Sequence, residues 1–145
     1  MQVDLLLEKG LLLKSKSNDL EVEGSMAIAE RFLQKAKGNK NIQYFDVAFS
    51  LAYQSMFHAA RALLFKKNFK ERSHAALIIA LKELYSKEPQ VMEILETMDS
   101  YRRTRHGIQY SGIGCAKEDA EDAIKEAEKF IEAADKILAK EKTTQ

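Results

Sequence analysis

Residues 101–110 read YRRTRHGIQY and bring three arginines, one histidine and two tyrosines into ten positions. A guanidinium is a planar fork that matches phosphate oxygens two at a time. An imidazole or phenol beside such a grip can move a proton on a ribose 2′-hydroxyl. The chemistry in view is phosphate binding by Arg102, Arg103 and Arg105, with His106 or Tyr110 as the proton-transfer group beside Arg105. The same residues have a plainer account: arginines in a last helical turn complement the negative end of the macrodipole and lay their stems over apolar surface.

The element that must position them starts at Pro89, which disfavours helical geometry at Glu88 and so separates two helices. Its apolar seam is Val91, Ile94, Leu95 and Met98, and the next seam positions are Tyr101, Arg102 and Arg105. Arg102 and Arg105 therefore fall on the packed side, with Arg103 nearer solvent. Buried guanidinium groups need anions or water, so two of them on a seam predict a groove at the end of the bundle or a wet interface. Gly107, Gly112 and Gly114 predict a loop after the motif.

The remaining segments read as helices around a central one. From Val47 to Phe65 the run VAFSLAYQSMFHAARALLF is apolar on two sides, but Ser50, Gln54, Ser55, His58 and Arg61 exclude a membrane span. Such a helix sits centrally or at a subunit interface. Before it, Asn18 with Glu21 resembles a capping box, and Val22, Met26, Ala29, Leu33 and Ala36 follow at helical spacing until Gly38. After it, Ser73 can cap a helix with the stripe Ala76, Leu77, Ala80, Leu81 and Leu84. The last helix carries Ala116, Ala120, Ala123, Ala127, Phe130, Ala134 and Ile137 on one face, with lysines and glutamates on the other. VDLLLEKGLLLK, interrupted by Gly10, reads as a short helix. The fold class predicted is all-α: an antiparallel bundle of about five helices in one domain over 1–145, with a core of 18–141 and an extension of 1–17.

Composition narrows the function. The 145 residues are 46% hydrophobic and 31% charged with a single proline, which favours packed helices over disorder. Basic and acidic side chains number 23 and 22, so nucleic acid or an anionic membrane can be held only by a local patch. One cysteine, Cys115, and the lack of a leader-like N-terminus point to the cytoplasm. His58, His74 and His106 have no partners at metal-ligand spacing, and no phosphate loop, nucleophile elbow or dinucleotide fingerprint is present, so neither metal nor cofactor is expected. His58 and Arg61 read as a hydrogen-bonded core histidine and a structural arginine, and Lys66, Lys67, Lys70 and Arg72 as a solvated loop.

AFSLAYQSMFHAARALLFKKNF, then SHAALIIALKELY, then YRRTRHGIQYSG resemble the HEPN domains of small stand-alone archaeal and bacterial proteins over residues 20–140. AYQSMFHAARALL is the most specific part. The resemblance implies a helical homodimer whose two motif copies face each other across a cleft. It also implies metal-independent endoribonuclease activity in many members, and pairing with a small nucleotidyltransferase in toxin and antitoxin modules. The family motif is an arginine, four to six residues, then a histidine. Counting back from His106 gives Tyr101, Ser100 and Asp99, none an arginine, so Arg105 aligns as the motif arginine and Tyr110 stands at the histidine position. A phenol with an ordinary pKa of about 10 cannot replace imidazole near neutral pH. The function expected is a HEPN-like homodimer whose arginine-lined cleft binds RNA or a nucleotide, toxin-like, with a degenerate catalytic motif. An active endoribonuclease using His106 with Arg102 or Arg105, and a purely structural partner-binding protein, are the alternatives.

Overall fold

The middle helix organises the molecule. In the computed structural model, which describes residues 1–17, 19–110, 112 and 114–143 (side chains of 109, 110, 142 and 143 excepted), the chain forms six helices and one short two-stranded antiparallel sheet. They are α1 (Gln2–Glu8), α2 (Asp19–Asn41), α3 (Phe45–Lys66), α4 (His74–Leu84), α5 (Pro89–Tyr110) and α6 (Lys117–Thr143), with strands β1 (Leu12–Lys14) and β2 (Phe69–Glu71). All-α architecture built on five long helices is what the hydrophobic spacing predicts. The central helix α3 packs against α2, α4, α5 and α6 within one chain. Most of its apolar surface is buried there, with Ala48, Ala52, Tyr53, Met56, Ala59, Leu63 and Leu64 at 0% exposure.

Small residues allow the close approach. Ala29 and Ala36 of α2, and Ala120, Ala123, Ala127 and Ala134 of α6, are fully buried, so backbones come together where larger side chains would hold them apart. Ser55 closes the α2–α3 contact by donating its buried hydroxyl to the Ala29 carbonyl at 2.8 Å. Tyr85, just past α4, donates to the Leu63 carbonyl at 2.8 Å and so satisfies one of the acceptors that the C-terminal turns of α3 leave unpaired. The α6 start is tied by Asp119, whose carboxylate accepts from the Ala116 amide at 3.0 Å.

Several local expectations are corrected. α2 runs through Gly38 to Asn41, and Gln43, at φ +68°, makes the reversal into α3. Asn18, the proposed cap, lies outside the described residues. Gly107 is buried inside α5 and forms no loop; a helical glycine costs only about 1 kcal/mol relative to alanine, and Ile108 beside it packs on the core. The N-terminal segment is a helix followed by a strand, because Gly10 at φ +71° ends α1 and turns the chain into β1. β1 pairs antiparallel with β2, Leu12 opposite Glu71 and Lys14 opposite Phe69. Of the basic residues read as a solvated loop, Lys70 therefore lies within β2 and the others flank it: Asn68 at φ +66° turns α3 into β2, Lys66 pairs with Asp19 at 3.7 Å and Lys67 with Glu141 at 3.3 Å.

Candidate functional site

α5 decides where the arginines go. Val91, Leu95 and Met98 are fully buried, and the same helical face continues through Arg102 and Arg105 in steps of four and three. Arg102 is consequently half-buried at 34% side-chain exposure and Arg103 faces outward at 68%, the division the seam predicts. Asp99, one turn earlier, accepts from both Nε and Nη2 of Arg102 at 3.3 Å and pairs with Arg103 at 3.5 Å. One carboxylate thus tethers two guanidinium groups, which leaves net positive charge at this end of α5.

Arg105 turns inward against α3. Its guanidinium carbon lies 4.8 Å from the centroid of the Tyr53 ring, a cation–π arrangement, and its buried Nε has no hydrogen-bond partner among the described residues. A buried N–H left unpaired is costly and here belongs to a residue on the wall of a cavity.

α4 contributes a residue that spacing did not single out. Ser73 caps the helix, its hydroxyl oxygen accepting from the Ala76 amide at 3.0 Å, and this puts His74 at the first helical position. The imidazole stacks on Phe57 with centroids 4.1 Å apart, and its Nδ1 lies 2.8 Å from the Tyr53 hydroxyl. His74, Arg102, Arg103, Arg105 and His106 line one cavity of about 440 Å³. Burial, and then the charges of Arg105, Arg102 and Arg61, hold the His74 pKa below the usual histidine range. Burial pushes the Tyr53 phenol up to about 12 even though Arg105 and Arg102 pull it down, so both groups are neutral near pH 7.

Of the residues selected from sequence, Arg102, Arg103, Arg105 and His106 come together in that cavity. Tyr110 ends α5, and its side chain lies outside the described residues. His58 is corrected: its ring stacks on Phe32 at 5.4 Å, but its buried Nδ1 has no hydrogen-bond partner among the described residues. Arg61 is a structural arginine as expected, bonded to Glu71 at 3.2 Å over the Phe65 ring. Tyr53 and His74 were missed. Their signals were present but weak: Tyr53, Phe57 and Arg61 share an α3 face in steps of four, and Ser73 marks His74 as a helix start. No spacing ties either one to residue 105.

Other candidates do less. The groove between α5 and α6 sets Glu126 and Glu132 beside Lys129 and Lys136, and these charges pair with one another at 3.4 and 3.3 Å. Burial, with Asp119 and Asp46 nearby, pushes the Cys115 thiol up to about 11, which removes it as a nucleophile. Among the described residues no helix is long and apolar enough to cross a membrane.

The HEPN domain model matches residues 22–137, from the second turn of α2 into the last turns of α6. The chain belongs to the HEPN domain family. The cavity of this HEPN domain lies at the YRRTRHGIQY end of α5. A Methanocaldococcus jannaschii protein that carries the name "Putative toxin" is 32% identical over 120 residues, covering 81% of this chain and 89% of that one. A UPF0332 protein of Gloeobacter violaceus is 30% identical over 122 residues, covering 82% and 97%. A second M. jannaschii "Putative toxin" is 27% identical over 120 residues, covering 81% and 82%. Two of these relatives of the HEPN domain thus carry the name "Putative toxin".

Proposed function

We propose that this HEPN protein binds RNA or a nucleotide by its phosphate groups in the arginine pocket, as a toxin-like homodimer with a degenerate catalytic motif. The observation that carries the reading is the convergence of Arg102, Arg103 and Arg105 on one cavity, with only Asp99 pairing two of them and Arg105 Nε unpaired among the described residues. Guanidinium forks at a cavity wall suit phosphate oxygens, and a positively charged, solvent-facing rim suits a polyanion. Arg103 and His106 lie at that rim, where the motif of a second copy would face them across a shared cleft. Tyr110 at the family's histidine position makes cleavage by the usual route inefficient. The partner proposed is a small nucleotidyltransferase, and the place of action the cytoplasm, where Cys115 stays reduced.

His106 in the same cavity favours a second reading, an active metal-independent endoribonuclease in which His106 acts with Arg102 or Arg105. One experiment separates the two. Incubating the protein with a labelled, structured RNA in EDTA reads binding and cleavage together for wild type, Arg105→Ala and His106→Ala. Binding without cleavage, weakened by Arg105→Ala alone, is the expected result. Cleavage lost in both variants would establish the enzyme, and absence of RNA binding in the wild type would overturn both readings.

A further inference from the structure

Resting on the phosphate-pocket reading, we infer that His74 from α4 is an imidazole that contacts phosphate oxygen beside Arg102 and Arg105. It does so as an uncharged Nε2–H donor whose tautomer Tyr53 fixes.

The argument begins with a hydroxyl. Tyr53 is 0% exposed, and among the described residues its Oη has one hydrogen-bond partner, His74 Nδ1 at 2.8 Å. A buried O–H has to donate, and Nδ1 is the acceptor in reach, so Nδ1 carries no proton and the neutral ring carries its hydrogen on Nε2. Nδ1 is therefore spent on Tyr53, and Nε2 is the nitrogen left to serve the cavity that His74 lines. Protonating Nδ1 would set two donors against each other across that short contact. Stacking on Phe57 at 4.1 Å holds the ring plane, and the Ser73 cap holds the backbone beneath it.

The surrounding charges act in the same direction. Arg102 and Arg105 face His74 from α5, with Arg103 and His106 on the same cavity wall. Arg61 faces it from α3, offset by its bond to Glu71 of β2, while Asp99 offsets Arg102 and Arg103, and His58 lies beyond Phe57. Positive charge predominates and disfavours an imidazolium. A neutral donor suits this place: it adds a hydrogen bond to an oxyanion without adding a cation that the arginines would repel. The ligand chemistry is a phosphate oxygen, from an RNA backbone or from a terminal phosphate.

The test uses the whole protein. Long-range 1H–15N spectra of histidine side chains at pH 7.5 read the tautomer in the wild type, and titration with pyrophosphate or an oligoribonucleotide reads contact. The expected result is a neutral His74 with its hydrogen on Nε2, whose signals move with ligand. Affinities follow for His74→Ala, His74→Gln and Arg105→Ala, each checked for fold by circular dichroism. His74→Ala should weaken binding about tenfold, the scale of one hydrogen bond to a charged group. His74→Gln, which offers an uncharged amide donor, should restore most of that loss. Tyr53→Phe, which removes the hydroxyl donor from Nδ1, should let His74 populate both neutral tautomers in the same spectra. Losses with both probes mark a terminal-phosphate site, and losses with RNA alone a backbone site; each supports the assignment. A His74 ring protonated or carrying its hydrogen on Nδ1, or a His74→Ala variant that binds like wild type while Arg105→Ala does not, overturns the assignment and leaves the pocket reading standing. A wild type that binds neither probe overturns both.

Discussion

The guanidinium carbon of Arg105 lies 4.8 Å from the centroid of the Tyr53 ring. That relationship joins the last turns of α5 to the middle of the central helix, and it orients the guanidinium plane at the cavity wall. It also makes the residue type matter beyond its charge. Lysine would keep the charge but lose the planar fork and the stacking. Arg105→Lys is expected to weaken RNA binding nearly as much as Arg105→Ala, about tenfold, in fluorescence anisotropy at fixed salt. A lysine variant that binds like wild type would show that charge alone serves.

Two histidines tie stability to pH. Burial first, then Arg61 and His74, lowers the His58 pKa; burial, Arg105, Arg102 and Arg61 lower that of His74. In the unfolded chain both titrate near the ordinary value of about 6.5. As pH falls through that value the unfolded state takes up protons that the folded state refuses, so stability is complete above it and declines toward the lower folded pKa values. Thermal unfolding should show a lower Tm at pH 5.5 than at pH 7.5. His58→Phe, which keeps the stacking and removes the unpaired Nδ1, should reduce the difference. An equal or higher Tm at pH 5.5 in the wild type would contradict the account.

Tyr85 supports the helix that carries Tyr53. Its hydroxyl serves the Leu63 carbonyl at 2.8 Å in a buried contact. Tyr85→Phe leaves that acceptor unsatisfied and should cost about 1–3 kcal/mol in denaturant unfolding, with the m-value unchanged. A change well below 1 kcal/mol would mean that water reaches the carbonyl.

The proposed homodimer carries its own expectation. Light scattering at micromolar concentration should give twice the chain mass of 16.5 kDa. A strict monomer would remove the shared cleft and leave each pocket to act alone. Most of the apolar surface of α3 is covered by α2, α4, α5 and α6 within one chain, with Val47 left exposed.

Much of the bundle was legible because its helices announce themselves locally. The alanine stripe of α6, the Ser73 cap and the break at Pro89 are contacts between near neighbours in sequence, and each appears in the structure as its spacing implies, except that Ala116 precedes α6 and is exposed, so the stripe begins at Ala120. The division of Arg102 and Arg105 from Arg103 followed from seam periodicity alone. The two-stranded sheet did not, because three-residue strands far apart in sequence have no period to detect and depend on positive φ at Gly10 and Asn68. Tyr53 and His74 escaped for a related reason. A tyrosine on an apolar face and a histidine beside a cap look structural until α3, α4 and α5 meet, and that meeting is a tertiary contact between residues 21 and more positions apart. His58 misled in the opposite sense: its helix position suggested a satisfied core group, and its Nδ1 is unpaired among the described residues.

The measurement that tests the central claim most directly is the salt dependence of oligoribonucleotide binding in the wild type and in the Arg102→Ala, Arg105→Ala double variant. Each single-strand phosphate contact contributes roughly 0.7 to the slope of log affinity against log salt. The account predicts weaker binding and a slope flatter by about 1.4, one contact for each arginine removed. An unchanged slope with unchanged affinity would place the RNA elsewhere and contradict it.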